Sequence, residues 1–336
     1  MIFATESASE NFVDLAVEPW HWFLLLGLIG VMLGVDLYRH RDDHEPTGSE
    51  ALRETLGWIG CGLAFGGAMA YLFGSEAFGE YISGYLIEKS LSIDNVFVWA
   101  LIFSTMKIPL RYQHRVLFWG IFGALVLRAI FILLGTALIA RFVFMLVIFG
   151  IFLIFTGFKV LRHKEDEGEN THARGLGLLK RIMPVSDEFD GHNFLTTIDG
   201  VRHATPLLAA LVIVEFTDVI FAVDSVPAVL AVSRETYIVF ASNAFAILGL
   251  RAMYFLLADA KDRFHYLSHG LGAILIFVGF KMVISPITHI DTYLSLGVIV
   301  VILTAAIVFS ERKNRQEIDE EDTLSNLETP NSDRQN

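Results

Sequence analysis

Apolar residues in this chain gather into nine long runs, separated by polar stretches that are mostly short. The runs are Trp20–Tyr38, Leu56–Gly74, Tyr81–Phe103, Val116–Ala140, Phe142–Leu161, Pro206–Val232, Tyr237–Ala258, Tyr266–Ile284 and Tyr293–Phe309. Each is long enough to cross a hydrocarbon layer of ~30 Å, some with tilt. The pattern predicts an all-α polytopic membrane protein with about nine transmembrane helices over residues 20–310. Residues 1–19 form a short leading segment. Residues 162–205 are the only sizeable polar stretch within the helical region. There Asp199-Gly200 follows a short β-prone run, which predicts a small hairpin. The tail, 311–336, is acidic and lacks apolar periodicity, so it is expected to be disordered.

The basic residues between the runs predict an orientation. Arg39, Arg41 and Arg53 follow the first run, and Lys107, Arg111 and Arg115 follow the third. Lys164, Arg174, Lys180, Arg181 and Arg202 lie between the fifth and sixth, Lys261 and Arg263 follow the seventh, and Arg312, Lys313 and Arg315 follow the ninth. The opposite loops are short and poor in such residues, apart from Arg141 and Arg234. The positive-inside rule then puts residues 1–19 outside, and 162–205 and the C-terminus in the cytoplasm. The leading segment is acidic and has no basic n-region, so the first run is expected to be a retained helix rather than a cleaved signal. The chain is 54% hydrophobic with mean hydropathy +0.55, and its net charge of −12 argues against a nucleic-acid partner. Its one cysteine, Cys61, cannot close an intrachain disulfide.

Two halves of the chain match one another. Glu88-x5-Asp94-Asn95 corresponds to Asp218-x5-Asp224-Ser225, Leu127–Leu134 to Leu250–Leu257, and Leu153–Lys159 to Leu275–Lys281. The three matches fall in the same order. Each repeat, about 81–161 and about 206–284, holds three runs, so the second copy enters the membrane from the opposite side. Inverted repeats of this kind occur in many secondary transporters, with the substrate held near the midplane on interrupted helices.

The repeated acids carry the candidate chemistry. Glu88, Lys89 and Asp94 lie inside the third run, and Glu215, Asp218 and Asp224 inside the sixth. Ionisable groups at such depth persist when paired, facing a cavity, or holding an ion. Glu88 and Asp94 do not share a face of an ideal helix. They could meet if the helix unwinds near Ser92, or project into a polar cavity from two sides. Pro227 suggests a kink that would swing Asp224 inward. The five carboxylates outnumber Lys89, Arg128 and Arg251, so the excess requires protons or a cation. Carboxylates with Asn95, Ser92, Ser225 and Thr217 form an oxygen-only ligand set, which suits a hard divalent ion such as Mn2+, Mg2+ or Ca2+. Arg128 and Arg251 could each pair with one acid. Lys159 and Lys281 read as interfacial side chains, Asp36 as an interfacial residue, and His265 with His269 as a structural pair more readily than as ligands.

The blocks Gly84–Val98, Glu215–Ala228 and Ser242–Phe255 resemble those of the TerC family of integral membrane proteins, and the likeness extends over roughly residues 20–310. It looks closest to that family's Alx branch. The resemblance implies a multi-helical fold in a bacterial inner membrane and manganese export, with Glu88, Asp94, Asn95, Glu215, Asp218 and Asp224 carrying the ion site. The resulting expectation is a transporter, not an enzyme, with no resident cofactor. Mn2+ is its cargo, the lipid bilayer its surroundings, and proton exchange a plausible coupling. The competing expectation is a redox- or stress-linked membrane protein without transport.

Overall fold

The computed structural model describes residues 12–39, 47–142, 144–162, 176–177, 179–186, 188–257, 266–285, 287–288 and 290–328. Among these are ten named helices and one hairpin. The order is α1 Pro19–Arg39, α2 Gly48–Phe73, α3 Ser75–Thr105, α4 Leu110–Arg141, α5 Met145–Arg162, β1 Leu195–Ile198, β2 Val201–Ala204, α6 Pro206–Leu230, α7 Thr236–Ile247, α8 Leu250–Leu257, α9 Leu267–Ile284 and α10 Thr292–Glu328. Among the described residues, seven spans are long and apolar enough to cross a membrane, with α7 and α8 together forming one of them. The other two runs correspond to α3, which carries the charged motif, and to α9, a shorter apolar helix. The chain is an all-α polytopic membrane protein.

Local chemistry sets the boundaries. Thr47 and Glu50 form a capping box at the start of α2, with the Thr47 amide donating to Glu50 Oε2 at 2.8 Å. Gly74, at φ 92°, ends α2 and lets α3 begin at the next residue. Pro206 opens α6 at a position where its missing N–H costs nothing. Asp199 and Gly200, at φ 50° and 78°, make the tight turn that pairs Ile198 with Val201 and Leu195 with Ala204. The hairpin expected from Asp-Gly is present.

Three expectations about interrupted or ended helices are corrected. α3 runs unbroken through Ser92, and α6 runs unbroken through Asp224 and Pro227. Pro227 sits in the last turn of α6, where its missing N–H costs the one bond to the Val223 carbonyl and the helix still continues to Leu230. The interruption falls instead in the seventh run, between Ile247 and Leu250. Gly249 adopts φ 86° there and lies against Trp58 of α2, in a space that a side chain would overlap. Third, the tail does not lose its helix at residue 311. α10 continues to Glu328, supported where it leaves the apolar span by an Arg315–Glu311 pair at 3.1 Å. A helix already nucleated in the span needs only propagation to continue into a charged segment. Residues 329–336 lie outside the described part.

Packing places α3, α6 and α7 at the centre, where their side chains are mostly buried. α1, α2, α5 and α10 show apolar residues outward, among them Phe23, Leu63, Phe155 and Val301. An apolar outer surface is what a bilayer requires. The third helices of the two repeats, α5 and α9, pack through glycines. A Cβ on Gly150 would meet the Gly279 carbonyl oxygen at 2.7 Å, and one on Gly157 would meet that of Gly272 at 2.7 Å. Gly157 and Gly279 are repeat equivalents, as are Gly150 and Gly272. Each glycine thus touches the equivalent of its own helix's other glycine. Such reciprocity is the mark of a two-fold contact, here between antiparallel helices of one chain.

Candidate ion site at the centre of the bundle

The helical period gives α3 and α6 matching polar faces. Glu88, Ser92 and Asn95 are spaced four and three apart, so they share one side of α3. All three are buried. The repeat-equivalent positions on α6 are Asp218, Ala222 and Ser225, also on one side and also buried. Asp218 is the thirteenth of the 25 residues in α6, and Glu88 the fourteenth of the 31 in α3. Both acids therefore lie near mid-helix.

Arg128 of α4 joins the two faces. Its Nη1 donates to Glu88 Oε1 and, at 3.0 Å, to Ser225 Oγ. The other Glu88 oxygen accepts from Asn243 Nδ2 at 2.9 Å, and Ser92 Oγ lies 3.4 Å from Oε1. Glu88 is therefore fully buried, paired and hydrogen-bonded, the arrangement that makes a buried charge tolerable. Asp218 differs. It is buried within electrostatic reach of Arg128 and Glu215, yet neither of its oxygens has a hydrogen-bond donor. Asn95 Oδ1 and Asn243 Oδ1 are buried without a donor as well. Arg128 Nε is left over on the donor side. Two carboxylates stand by Arg128, Glu88 in contact and Asp218 within electrostatic reach, and Glu215 lies within reach of Asp218. One guanidinium cannot offset two buried negative charges, with a third acid beside Asp218.

Glu215 reaches α4 at Gly123, where its carboxylate occupies the space a Cβ would fill. Gly123→Ala is therefore expected to displace the carboxylate and leave the helices in place. It should impair function while changing the melting temperature little, since the overlapped atoms are the end of a flexible side chain. Parallel activity and thermal-denaturation measurements on this variant check the expectation.

Asp94 and Asp224 do not lie on these central faces. Asp94, partly exposed, hydrogen-bonds Ser268 of α9. Asp224, also partly exposed, accepts from Thr156 Oγ1 of α5 at 3.3 Å. Each aspartate thus reaches a hydroxyl on the third helix of the opposite repeat. Among the described residues, no three acidic, histidine or cysteine side chains converge into a ready metal cage. The five acids and one amide named from sequence are therefore divided. Glu88 and Asp218 flank Arg128, Glu215 lies near Asp218, Asn95 shares the inward face with Glu88, and Asp94 and Asp224 stand at the α9 and α5 contacts.

Other expected partners are reassigned. Arg251 does not repeat the role of Arg128; it donates to Asp36 of α1, at 2.5 Å to Oδ1 and 2.8 Å to the backbone oxygen. Asp36 is accordingly a buried ion-pair partner, not a free interfacial residue. Lys89 pairs with neither Glu88 nor Asp94. Its Nζ donates to the Ala246 carbonyl at 3.1 Å, at the end of α7 where the helix breaks and a cation is favoured. Thr217 Oγ1 donates to the Ile213 carbonyl at 2.7 Å, which uses its proton and not its lone pairs. Lys281 is buried, within electrostatic reach of Glu80, and does not snorkel. Lys159 is exposed as expected. His269 is exposed, and His265 lies outside the described residues. Sequence reasoning missed Asn243 as a partner of Glu88. A lone amide in an apolar run gave no charge to notice, although its depth in Tyr237–Ala258 was a usable signal.

At the opposite end of α3 a second polar group closes the bundle. Glu80 accepts from the Val13 amide at 2.9 Å and from Ser233 Oγ at 2.6 Å. Residues 12–18 therefore run past the start of α3 and the residues after α6, with Leu15 buried.

The family model described as "Integral membrane protein TerC family" matches residues 73–317. A Myxococcus xanthus protein named "Uncharacterized membrane protein STKORF319" is 46% identical over 299 residues, covering 89% of this chain and 94% of that one. Proteins named "Putative membrane-bound redox modulator Alx" are 41% identical over 308 residues in Salmonella typhi, covering 89% and 96%, and 42% identical over 302 residues in Escherichia coli K12, covering 87% and 94%. No solved structure matches the chain. With the match spanning both acidic faces, Arg128 and Asn243, the chain belongs to the TerC family of integral membrane proteins.

Proposed function

We propose that this protein exports a divalent metal cation, with Mn2+ the foremost candidate, through the acidic centre between its two repeats. The observation that carries this reading is Asp218, a mid-helix carboxylate whose two oxygens lack donors, in a centre where it shares one guanidinium with Glu88, has Glu215 within reach, and the Asn95 and Asn243 oxygens are also unbonded. Donor-free oxygens call for a cation or a proton, and an all-oxygen set favours a hard ion. Glu88 is held by Arg128 and Asn243, so it sets the geometry. Asp218 and Glu215 carry the uncompensated charge that a divalent ion offsets. When the ion leaves, the same two groups must take protons or remain costly, which supports proton exchange. Asp94 and Asp224 bridge the repeats through Ser268 and Thr156. Those hydrogen bonds are suited to breaking and reforming as one repeat rocks against the other.

The protein acts in this reading as a carrier in a bacterial inner membrane, not as an enzyme. Residues 12–18 face outward, and the hairpin and C-terminus face the cytoplasm. A reporter fused after Asn336 is expected to be active in the cytoplasm; activity only on the outer side would overturn this orientation. Cells under Mn2+ load are expected to hold less Mn2+ when they carry the protein than when they lack it. Equal Mn2+ in both, with another divalent ion depleted, would move the assignment to that ion.

A second reading is favoured by the names of the Alx relatives, which describe a redox modulator. Cys61, the single cysteine, lies exposed on α2. An absorbance spectrum of the purified protein separates the readings: a haem or flavin band would support redox chemistry, and ultraviolet protein absorbance alone would support the carrier.

A further inference from the structure

At the end of the bundle where α1 finishes and α4 begins, a cavity of about 770 Å3 opens to the surface. Its walls include Leu37 and Tyr38 of α1, Arg111, Arg115 and Trp119 of α4, and Arg251 of α8. His192, which precedes the hairpin, closes one side. Among the described residues, three guanidiniums line the cavity and no carboxylate does. Asp36 offsets Arg251, and the neighbouring Arg39 is offset by Glu54 at 3.1 Å. Arg111 and Arg115 have no carboxylate partner among the described residues. Each is held over a ring, Arg111 at 4.6 Å from the Tyr112 centroid and Arg115 at 5.0 Å from that of Phe194. The rings fix the two cations in place without cancelling their charge.

The cavity continues into an apolar stripe. Trp119, Phe122, Val126 and Ile130 follow one another along α4 at helical spacing, and all are exposed. A basic ring one turn into a membrane helix, followed by an apolar strip, has the polarity profile of a phospholipid, with its phosphate at the interface and its chains below. A soluble anion would use the ring and leave the strip without a role. Basic pockets between transmembrane helices are a recurrent way of holding anionic headgroups.

We propose that this cavity binds the phosphate of an anionic phospholipid between Arg111 and Arg115, with the acyl chains lying along Trp119, Phe122, Val126 and Ile130. The lipid would tie the end of α1 to the start of α4, beside the Asp36–Arg251 pair. The test uses the full chain, purified and stripped of lipid, with phosphatidylglycerol and phosphatidylcholine of the same chain length titrated by native mass spectrometry. Phosphatidylglycerol is expected to bind at least tenfold tighter. Arg111→Ala and Arg115→Ala should each weaken it about fivefold, with phosphatidylcholine unaffected. Both arginines are exposed, so neither substitution leaves a buried group unpaired. Should a variant fail to fold, the wild-type protein still decides the matter, because its preference for phosphatidylglycerol should fall with rising salt. Equal affinity for the two lipids, a salt-independent preference, or wild-type binding by the folded double variant would each overturn the proposal. Displacement of the lipid by equimolar glycerol 3-phosphate would overturn it too, by showing a site for soluble phosphates.

Discussion

Asp218→Asn is expected to abolish export while leaving the protein as stable as wild type, or more stable. The carboxylate is buried and its oxygens have no donors. Its charge is therefore a cost that only a cation or a proton relieves. An amide is nearly the same size and brings two N–H donors. Removing an unsatisfied buried group is worth about 1–3 kcal/mol. Loss of function with a raised melting temperature is the signature of a group kept for its ligand rather than for the fold. Asp94→Asn and Asp224→Asn should be milder, because an amide oxygen can still accept from Ser268 or Thr156. Cellular Mn2+ after overload, together with melting temperatures, checks all three variants.

Arg128→Ala is expected to be the most destabilising single change in the centre. It strips Glu88 of its guanidinium and Ser225 of its donor, in a region closed to water. Removing one partner of a buried pair costs about 3–5 kcal/mol, because the other charge is left uncompensated. The second substitution separates structure from function. Glu88→Gln added to Arg128→Ala should restore much of the stability, since no buried charge remains stranded and Asn243 can still donate to the amide oxygen. Export should not return, because the geometry that places Asp218 beside a fixed cation is gone. Thermal denaturation in detergent, with membrane abundance of both variants, measures the first effect; ion efflux measures the second. If the double variant is no more stable than Arg128→Ala, the ion pair is not what Arg128 contributes.

The acids were legible in the sequence because charge inside an apolar run is conspicuous, and their roles were not. Glu88 and Asp94 stood in one motif, and only a continuous α3 shows that Glu88 aligns with Ser92 and Asn95 while Asp94 points toward α9. The unwinding considered near Ser92 was a way to bring the two acids together, and the fold does not need it. The duplicated frame was legible, down to the glycines that pack α5 on α9. It misled at Arg251, because the partner there, Asp36, comes from α1, which lies outside the repeats. The break at Gly249 was hidden, since glycine is common in membrane helices and only the contact with Trp58 distinguishes this one. Pro227 pointed to the wrong helix. Its effect is small so near the end of α6.

The central claim is that Asp218 and its neighbours carry a divalent ion across the membrane. Its most direct test is flux of radioactive Mn2+ into proteoliposomes containing the purified full chain, measured for wild type and Asp218→Asn at equal protein content and with matched orientation. The account predicts saturable flux by the wild type and none above empty liposomes by the variant. Equal flux through both proteins would contradict it.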